Sequence, residues 1–278
     1  MGANNVFDHS PLLGKIPINA LFYADDLVLI SETKEGLQFL LDKLHTYTKT
    51  WCLQVNKTKT KCMVFSLKRK ASAHVVDFGG SLLVRVEEYC DLGTNFTSNG
   101  SLNEAGHTLH DKAIKAMHGL LSKVYRFKSC DPRIMIELFD KMVLPVALYN
   151  SEIWGTMCFP VNENNMNFLE VGPQKNPIED GQIKFCKRLL GVSDKTTNWG
   201  VKSELGKPPS IILIVDRIIK FWSHAIQSKS PILKAALQTS VNLDAAGKRV
   251  WFTFLRRCLK FIGIDHILYT SDSREVIL

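Results

Sequence analysis

The sequence predicts an α+β fold, with short β-strands over residues 1–100 and helices over most of the remainder. Three observations predict it. Apolar, strand-forming arms flank a turn near residue 25, a Gly-Gly turn follows at 79–80, and five later segments carry helix-like apolar periodicity. Those segments lie near 104–128, 132–149, 178–190, 210–227 and 245–262. With 278 residues and 45% hydrophobic content, the chain can bury a sizeable core.

The first β-hairpin is predicted where Asp25 and Asp26 separate the apolar arms 20–24 and 27–30. Desolvating neighbouring carboxylates without a partner costs several kcal/mol per ion, so this turn must stay wet or hold a compensating charge. A divalent metal is the obvious compensating charge. The alternative is an ordinary surface hairpin with an acidic turn, since Asp is common in turns.

A helix is predicted next, from a cap at Ser31 or Thr33 to about Thr48. Its apolar residues recur at helical spacing and are expected to pack on the sheet. These residues are Leu37, Leu40, Leu41, Leu44 and Tyr47.

Short strands are then predicted at 53–56 and 62–65, on either side of the lysine-rich turn 57–61. The Gly79-Gly80 pair predicts a hairpin between 75–78 and 82–86. Another short extended segment is expected over 89–96. After Asn99-Gly100, the spacing of the apolar residues becomes typical of helices.

Net charge, cysteine spacing and hydropathy indicate which classes of protein the sequence fits. The formal net charge is +8, which suits a polyanionic partner, although solubility alone also explains it. Seven scattered cysteines predict neither a disulfide framework nor a zinc knuckle, and buried reduced thiols are the default expectation. The chain shows no signal peptide or run of transmembrane length. We therefore expect an intracellular protein, in the nucleus or cytoplasm, that is neither secreted nor bound to a membrane.

A series of motifs resembles one family over roughly residues 12 to 225. The stretch Phe22-Tyr23-Ala24-Asp25-Asp26-Leu27-Val28-Leu29-Ile30-Ser31 resembles the second catalytic block, a YADD motif, of reverse transcriptases from LINE-type (non-LTR) retrotransposons. Later stretches resemble further blocks of that family in the same order. They are 34–38, 51–56 with 59–65, 89–101, 143–155, 185–192 and 204–206.

The resemblance implies the carboxyl-terminal part of an RNA-directed DNA polymerase. It implies a partial palm with primer-grip-like strands at 1–100, thumb-like helices at 101–170 and a helical region at 171–278. It also implies an RNA template, a DNA primer, and Mg²⁺ or Mn²⁺, with no organic cofactor. Two-metal nucleotidyl transfer uses such ions to activate the attacking hydroxyl and hold the triphosphate.

Residue roles follow from the same resemblance. Asp25 would be the principal metal ligand, Asp26 the auxiliary one, and Tyr23 would pack near the primer terminus. Lys59 would neutralise, or donate a proton to, the leaving pyrophosphate. Lys61, Leu92 and Gly93 are further expected contacts with primer or nucleic acid. A separate hypothesis, a module that grips a duplex by its phosphates, uses basic residues of the helical region, namely Lys112, Lys115, Lys123, Arg126 and Lys128. Solvated surfaces explain the same lysines about as well.

The sequence also departs from the family. Asp91 stands where an aromatic residue is usual, and Thr94 replaces a frequent valine. The upstream catalytic aspartate and the fingers have no counterpart in the 22 residues before Tyr23. We therefore expect no polymerisation by this chain alone, exposed edges and apolar faces on the first hairpin, and a need for a fingers and palm segment supplied in trans.

Two other readings remain open on the sequence. One is a non-catalytic module that binds nucleic acid by its phosphates through the basic helices. The other is an inactive product of a decayed element. Such a product would be unstable, because part of the polymerase fold would be absent from it.

Overall fold

This computed structural model describes residues 9–66, 76–124, 131–158, 177–261 and 263–268. It combines helices with small paired strands, which is compatible with the predicted α+β class. Two compact units are present. The first comprises residues 1–101 with 228–242, and the second comprises 102–227 with 243–278. The predicted division into palm, thumb and carboxyl-terminal regions stays a prediction.

Within the described ranges, every strand pairs with one partner, so each sheet has two strands. The strands are β1 (Leu12–Leu13), β2 (Ile16–Pro17), β3 (Ala20–Tyr23), β4 (Asp26–Leu29), β5 (Lys61–Cys62), β6 (Asp77–Phe78), β7 (Ser81–Leu82), β8 (Val84–Arg85), β9 (Glu88–Asp91) and β10 (Thr94–Thr97). The pairs β1–β2, β3–β4, β6–β7 and β9–β10 are antiparallel, whereas β5 and β8 run parallel.

The predicted hairpin at Gly79-Gly80 is confirmed as β6–β7, and both glycines adopt positive φ, at 57° and 76°. The strand predicted at 53–56 is wrong, because this stretch has no strand partner in the described chain. Instead, Asn56 Oδ1 accepts hydrogen bonds from the backbone N–H groups of Thr58 and Lys59, which starts a turn. The strand predicted at 62–65 is also shorter than expected, since β5 ends at Cys62.

Helix α1 (Lys34–Thr50) begins at one of the two predicted caps, with Thr33 Oγ1 accepting from Gly36 N at 3.1 Å. Its buried face joins a small core made with strands and loops of the same unit. The fully buried members of that core are Leu41, Cys62, Val76 and Phe78.

Placing Tyr47 in the buried stripe of α1 is wrong, because 55% of Tyr47 is exposed. The stripe runs from Leu44 to Thr48 instead, and Thr48 is only 7% exposed. The Thr48 hydroxyl donates to the backbone oxygen of His45 at 3.0 Å, which satisfies it inside the core. Thr48 is therefore the buried residue at this end of the helix, whereas hydrophobicity alone predicts that Tyr47 is buried.

The other helices are α2 (Asn103–Val124), α3 (Pro132–Met142), α4 (Leu144–Ala147), α5 (Ser151–Trp154), α6 (Pro177–Leu190), α7 (Asn198–Glu204), α8 (Ser210–Gln227), α9 (Pro231–Ala245) and α10 (Trp251–Phe261). Short 3₁₀ turns occupy Gly155–Cys158 and Asp265–Leu268. The segment predicted at 132–149 is divided at Val143 into α3 and α4. Helices α7 and α9 were not predicted. No helix in the described ranges is long and apolar enough to cross a membrane.

The core of the second unit is built around large side chains. Trp154 is 1% exposed, and the rings of Phe139 and Phe185 stack with centroids 4.1 Å apart. Backbone packing is also tight, since a Cβ added at Gly155 would lie 2.4 Å from Cγ2 of Ile214.

The described cysteines divide into two groups. Cys62, Cys186 and Cys258 are buried and unbonded, as expected. Burial raises the pKa of Cys186 to about 11 and that of Cys258 to about 12, so both thiols stay protonated and unreactive near neutral pH. Cys52 and Cys90 are exposed, so the expectation of burial is wrong for them. Cys130 and Cys158 fall where side chains are not described.

Candidate functional site

The β3–β4 hairpin has a two-residue turn made of Ala24 and Asp25. Tyr23 pairs with Asp26 across the hairpin, directly before and after the turn. Ala24 has a φ of 52°, in the left-handed region that tight hairpin turns require and that non-glycine residues seldom occupy. Such strain persists only when the surrounding structure imposes it, and it clusters at functional sites.

Both carboxylates at this tip are exposed. In the described part of the chain, neither Asp25 nor Asp26 forms an ion pair with a basic side chain. Two adjacent oxygen donors without a cationic partner fit the ligand preference of Mg²⁺. Among the described residues, however, no group of three or more metal-ligand side chains is found, so the tip alone offers two.

The arms of this hairpin are apolar and only partly covered. Leu29 packs against the core of the first unit. By contrast, Leu21, Phe22 and Tyr23 are 44%, 74% and 66% exposed. The expectation of exposed apolar faces is therefore confirmed for β3, whereas the apolar residues of β4 are half-buried. A hairpin apolar on both faces is typical of a strand pair that is buried on both sides.

The lysine-rich turn, residues 57–61, belongs to the first unit, as the β3–β4 hairpin does. Lys59 is exposed, and Lys61 is half-buried in β5. Lys57 Nζ donates to Ser81 Oγ at 2.8 Å, which attaches the turn to β7. No ion pair among the described residues joins Lys59 or Lys61 to the carboxylates at the hairpin tip. The predicted roles of these two lysines stay predictions.

Leu92 and Gly93 form the turn of the β9–β10 hairpin. Their φ angles are 44° and 81°, and both central residues of a type I′ turn require positive φ. Like Ala24, Leu92 is a non-glycine residue that holds a left-handed conformation at a hairpin tip. The family-divergent Asp91 and Thr94 pair across the strands, with Asp91 half-buried and Thr94 5% exposed.

Helix α2 carries the predicted basic residues of the second unit. Lys112, Lys115 and Lys123 are exposed and share one helical face with Gly119, where a Cβ would meet nothing within 4 Å. None of the three lysines forms an ion pair within the described residues. We call these three lysines the α2 basic strip. Arg126 and Lys128 lie outside the described residues.

Sequence reasoning missed one exposed feature, the row of side chains along α1 at positions 39, 43, 47 and 51. The four-residue spacing of aromatic and basic residues was available as a signal. The helical periodicity of the neighbouring leucines instead assigned Tyr47 to the core.

Comparison with known proteins finds similarity to two proteins, one described as transposon-derived and one from a retrotransposable element. An uncharacterized transposon-derived protein of Caenorhabditis elegans is 32% identical over 138 residues, which are 48% of this chain and 48% of that protein. The retrovirus-related Pol polyprotein of the type-2 retrotransposable element R2DM of Drosophila melanogaster is 35% identical over 99 residues. These similarities support a retrotransposon-related origin of the chain.

Both similarities are partial. The chain spans about half of the nematode relative, and the match to the Pol polyprotein covers 32% of this chain and 9% of that polyprotein. No protein-family model matches the chain. No solved structure matches it either.

Proposed function

We propose that this chain derives from the RNA-directed DNA polymerase of a LINE-type retroelement and contributes part of its palm, thumb and following helices. The tip of the β3–β4 hairpin is the observation on which the proposal depends. It presents Asp25 in a strained turn and Asp26 directly after that turn, at the start of β4, both exposed and without ion pairs among the described residues. The similarity to a retrotransposon Pol polyprotein supports the same origin.

In this proposal, Asp25 and Asp26 hold Mg²⁺, or Mn²⁺, at the tip of the hairpin. The bound ion would activate the primer hydroxyl and offset charge on the triphosphate. Tyr23, paired with Asp26, places an exposed ring beside the carboxylates, where a primer terminus would lie. The chain would act inside the cell, in the nucleus or cytoplasm, on an RNA template and a DNA primer.

We further propose that the chain does not polymerise alone. Two adjacent carboxylates supply few of the oxygen ligands that a two-metal site requires. A further segment, on this or on another polypeptide, would supply another carboxylate together with fingers, and the exposed apolar face of the hairpin suits such a segment.

Primer extension tests this competence directly. With Mg²⁺, an RNA template and an annealed DNA primer, we expect no incorporation by the purified chain, because its metal site is incomplete. Nucleotide incorporation by the wild-type chain would contradict the proposal that the chain does not polymerise alone. If that incorporation disappeared in the Asp25→Ala variant, the result would support a catalytic role for Asp25. Incorporation that survives Asp25→Ala would contradict the role of Asp25 itself.

A second candidate function is nucleic-acid binding without catalysis, and the α2 basic strip favours it. Lys141, Lys184 and Lys220 each pair with an acid one turn away on their own helices. The three lysines of the α2 basic strip form no ion pair within the described residues, although Asp111 stands one turn before Lys115 in α2. Their charge is therefore available to phosphates, as a backbone-binding surface requires.

Replacing the α2 basic strip is expected to weaken duplex binding. The triple variant Lys112→Gln/Lys115→Gln/Lys123→Gln should lower the slope of log affinity against log salt by about 2–3, since each phosphate contact contributes about 0.9. The measurement is fluorescence anisotropy with a labelled duplex over a range of salt. The control replaces the three paired lysines, 141, 184 and 220. Equal slopes for the two triple variants would count against the α2 basic strip.

A further inference from the structure

The outer edge of α1 carries a row of four side chains spaced by one helical turn. The row consists of Phe39, Lys43, Tyr47 and Trp51. At a rise of 1.5 Å per residue it extends about 18 Å along the helix. None of these four residues takes part in the polymerase proposal, so the row requires its own explanation.

The two aromatic residues at the carboxyl-terminal end of this row are exposed. Tyr47 is 55% and Trp51 is 65% exposed, and their ring centroids lie 6.2 Å apart at a tilt of 46°. Leu53, 55% exposed, follows directly, and its N–H bonds to the carbonyl of Thr48 at 2.8 Å, so the chain folds back against the helix end. Adjacent large apolar side chains that remain in water mark an interaction site.

The carboxyl-terminal end of the row lies in a lysine-rich stretch of the chain. Lys43 Nζ lies 5.3 Å from the centre of the Phe39 ring. From residue 43 to residue 66 the chain contains five lysines and no Asp or Glu. The nearby acids Asp42 and Asp77 both accept hydrogen bonds from Gln38. Glu35 and Asp42 lie toward the amino-terminal half of α1, so the aromatic end of the row has the excess of positive charge.

We propose that Lys43, Tyr47 and Trp51 form a binding site for single-stranded nucleic acid. Unpaired bases stack on the two rings while lysines contact the phosphates, a combination that binds single strands with little sequence preference. A duplex does not fit as well, because its bases already stack on one another. A lipid surface does not fit either, because the broad apolar face of α1 is used in the core and leaves only the rings to insert.

The test is fluorescence anisotropy with labelled twenty-nucleotide single strands, oligo-dT and oligo-U, against a duplex of equal length. The wild-type chain should bind the single strands more tightly. Tyr47→Ala/Trp51→Ala should weaken that binding about 5- to 100-fold per ring, and Tyr47→Phe/Trp51→Phe should restore most of it, since phenylalanine still stacks. The matched control is Tyr149→Ala/Trp199→Ala, which removes two exposed aromatics of the second unit.

A second measurement does not depend on the alanine variant folding. Single strands should quench tryptophan emission of the wild-type chain, and Trp51→Phe should remove that quenching. Unchanged affinity in the alanine variant, equal loss in the control, unchanged quenching in Trp51→Phe, or binding only to duplex or to anionic lipid vesicles would each overturn the site. These outcomes are independent of Asp25, so they leave the polymerase proposal untouched.

Discussion

Replacing Lys202 by alanine is expected to destabilise the second unit by about 3–5 kcal/mol, the usual cost of leaving a buried charge without its partner. Lys202 is 3% exposed, and its ammonium group donates to Glu179 and, at 3.0 Å, to Gln182 Oε1. Glu179 also accepts from the backbone N–H of Ser210 at 2.6 Å, at the start of α8. One carboxylate thus connects α6, α7 and α8.

The measurement is chemical denaturation followed by tryptophan fluorescence, which reports Trp154 and Trp222 inside the same unit. Lys141→Ala is the matched control, because Lys141 pairs with Glu137 on an exposed helix face and its loss should cost at most about 0.5 kcal/mol. If the two alanine variants lost the same small amount, the buried pair would not hold these helices together.

Gly155→Ala is expected to cost about 1–3 kcal/mol, as overpacking of a core does. The added methyl group would lie 2.4 Å from Cγ2 of Ile214, whose side chain is fully buried, so neither can move aside without disturbing α8. Denaturation of the variant, followed as above, measures the cost.

Gly119→Ala supplies the contrasting result. Gly119 lies within α2, and its added methyl group would meet nothing within 4 Å. Alanine there should stabilise the unit by up to about 1 kcal/mol, the difference in helix propensity. Opposite signs are expected for the two variants, and destabilisation by Gly119→Ala would contradict the described packing of α2.

Local chemistry made several elements predictable from the sequence. The first hairpin, the Gly79-Gly80 turn and the Thr33 cap each depend on residues close together in the chain. Helix α9 was not predicted, because few of its side chains are buried. Leu237 is the fully buried residue along it, so its apolar pattern is weak.

Long-range pairing decided what the sequence did not show. Lys202 and Glu179 are 23 residues apart, so nothing local indicates that they meet. Tyr47 and Thr48 are neighbours on α1, and the face by which the helix packs places Thr48 inside, where its hydroxyl donates to the backbone oxygen of His45. Asp111 stands one turn before Lys115, as Glu137 stands before Lys141, and only the structure shows that the second pair forms and the first does not. The position of the acidic tip followed from sequence, whereas its exposure and its lack of ion pairs required the structure.

The central claim is that Asp25 and Asp26 bind a divalent cation. Paramagnetic broadening of backbone amide signals by Mn²⁺ tests it most directly. We expect broadening centred on residues 23–27, its loss in Asp25→Asn/Asp26→Asn, and its retention in Glu35→Gln, which removes an exposed acid from α1. Hairpin signals that stay sharp throughout the titration, or broadening that persists in the double variant, would contradict the claim.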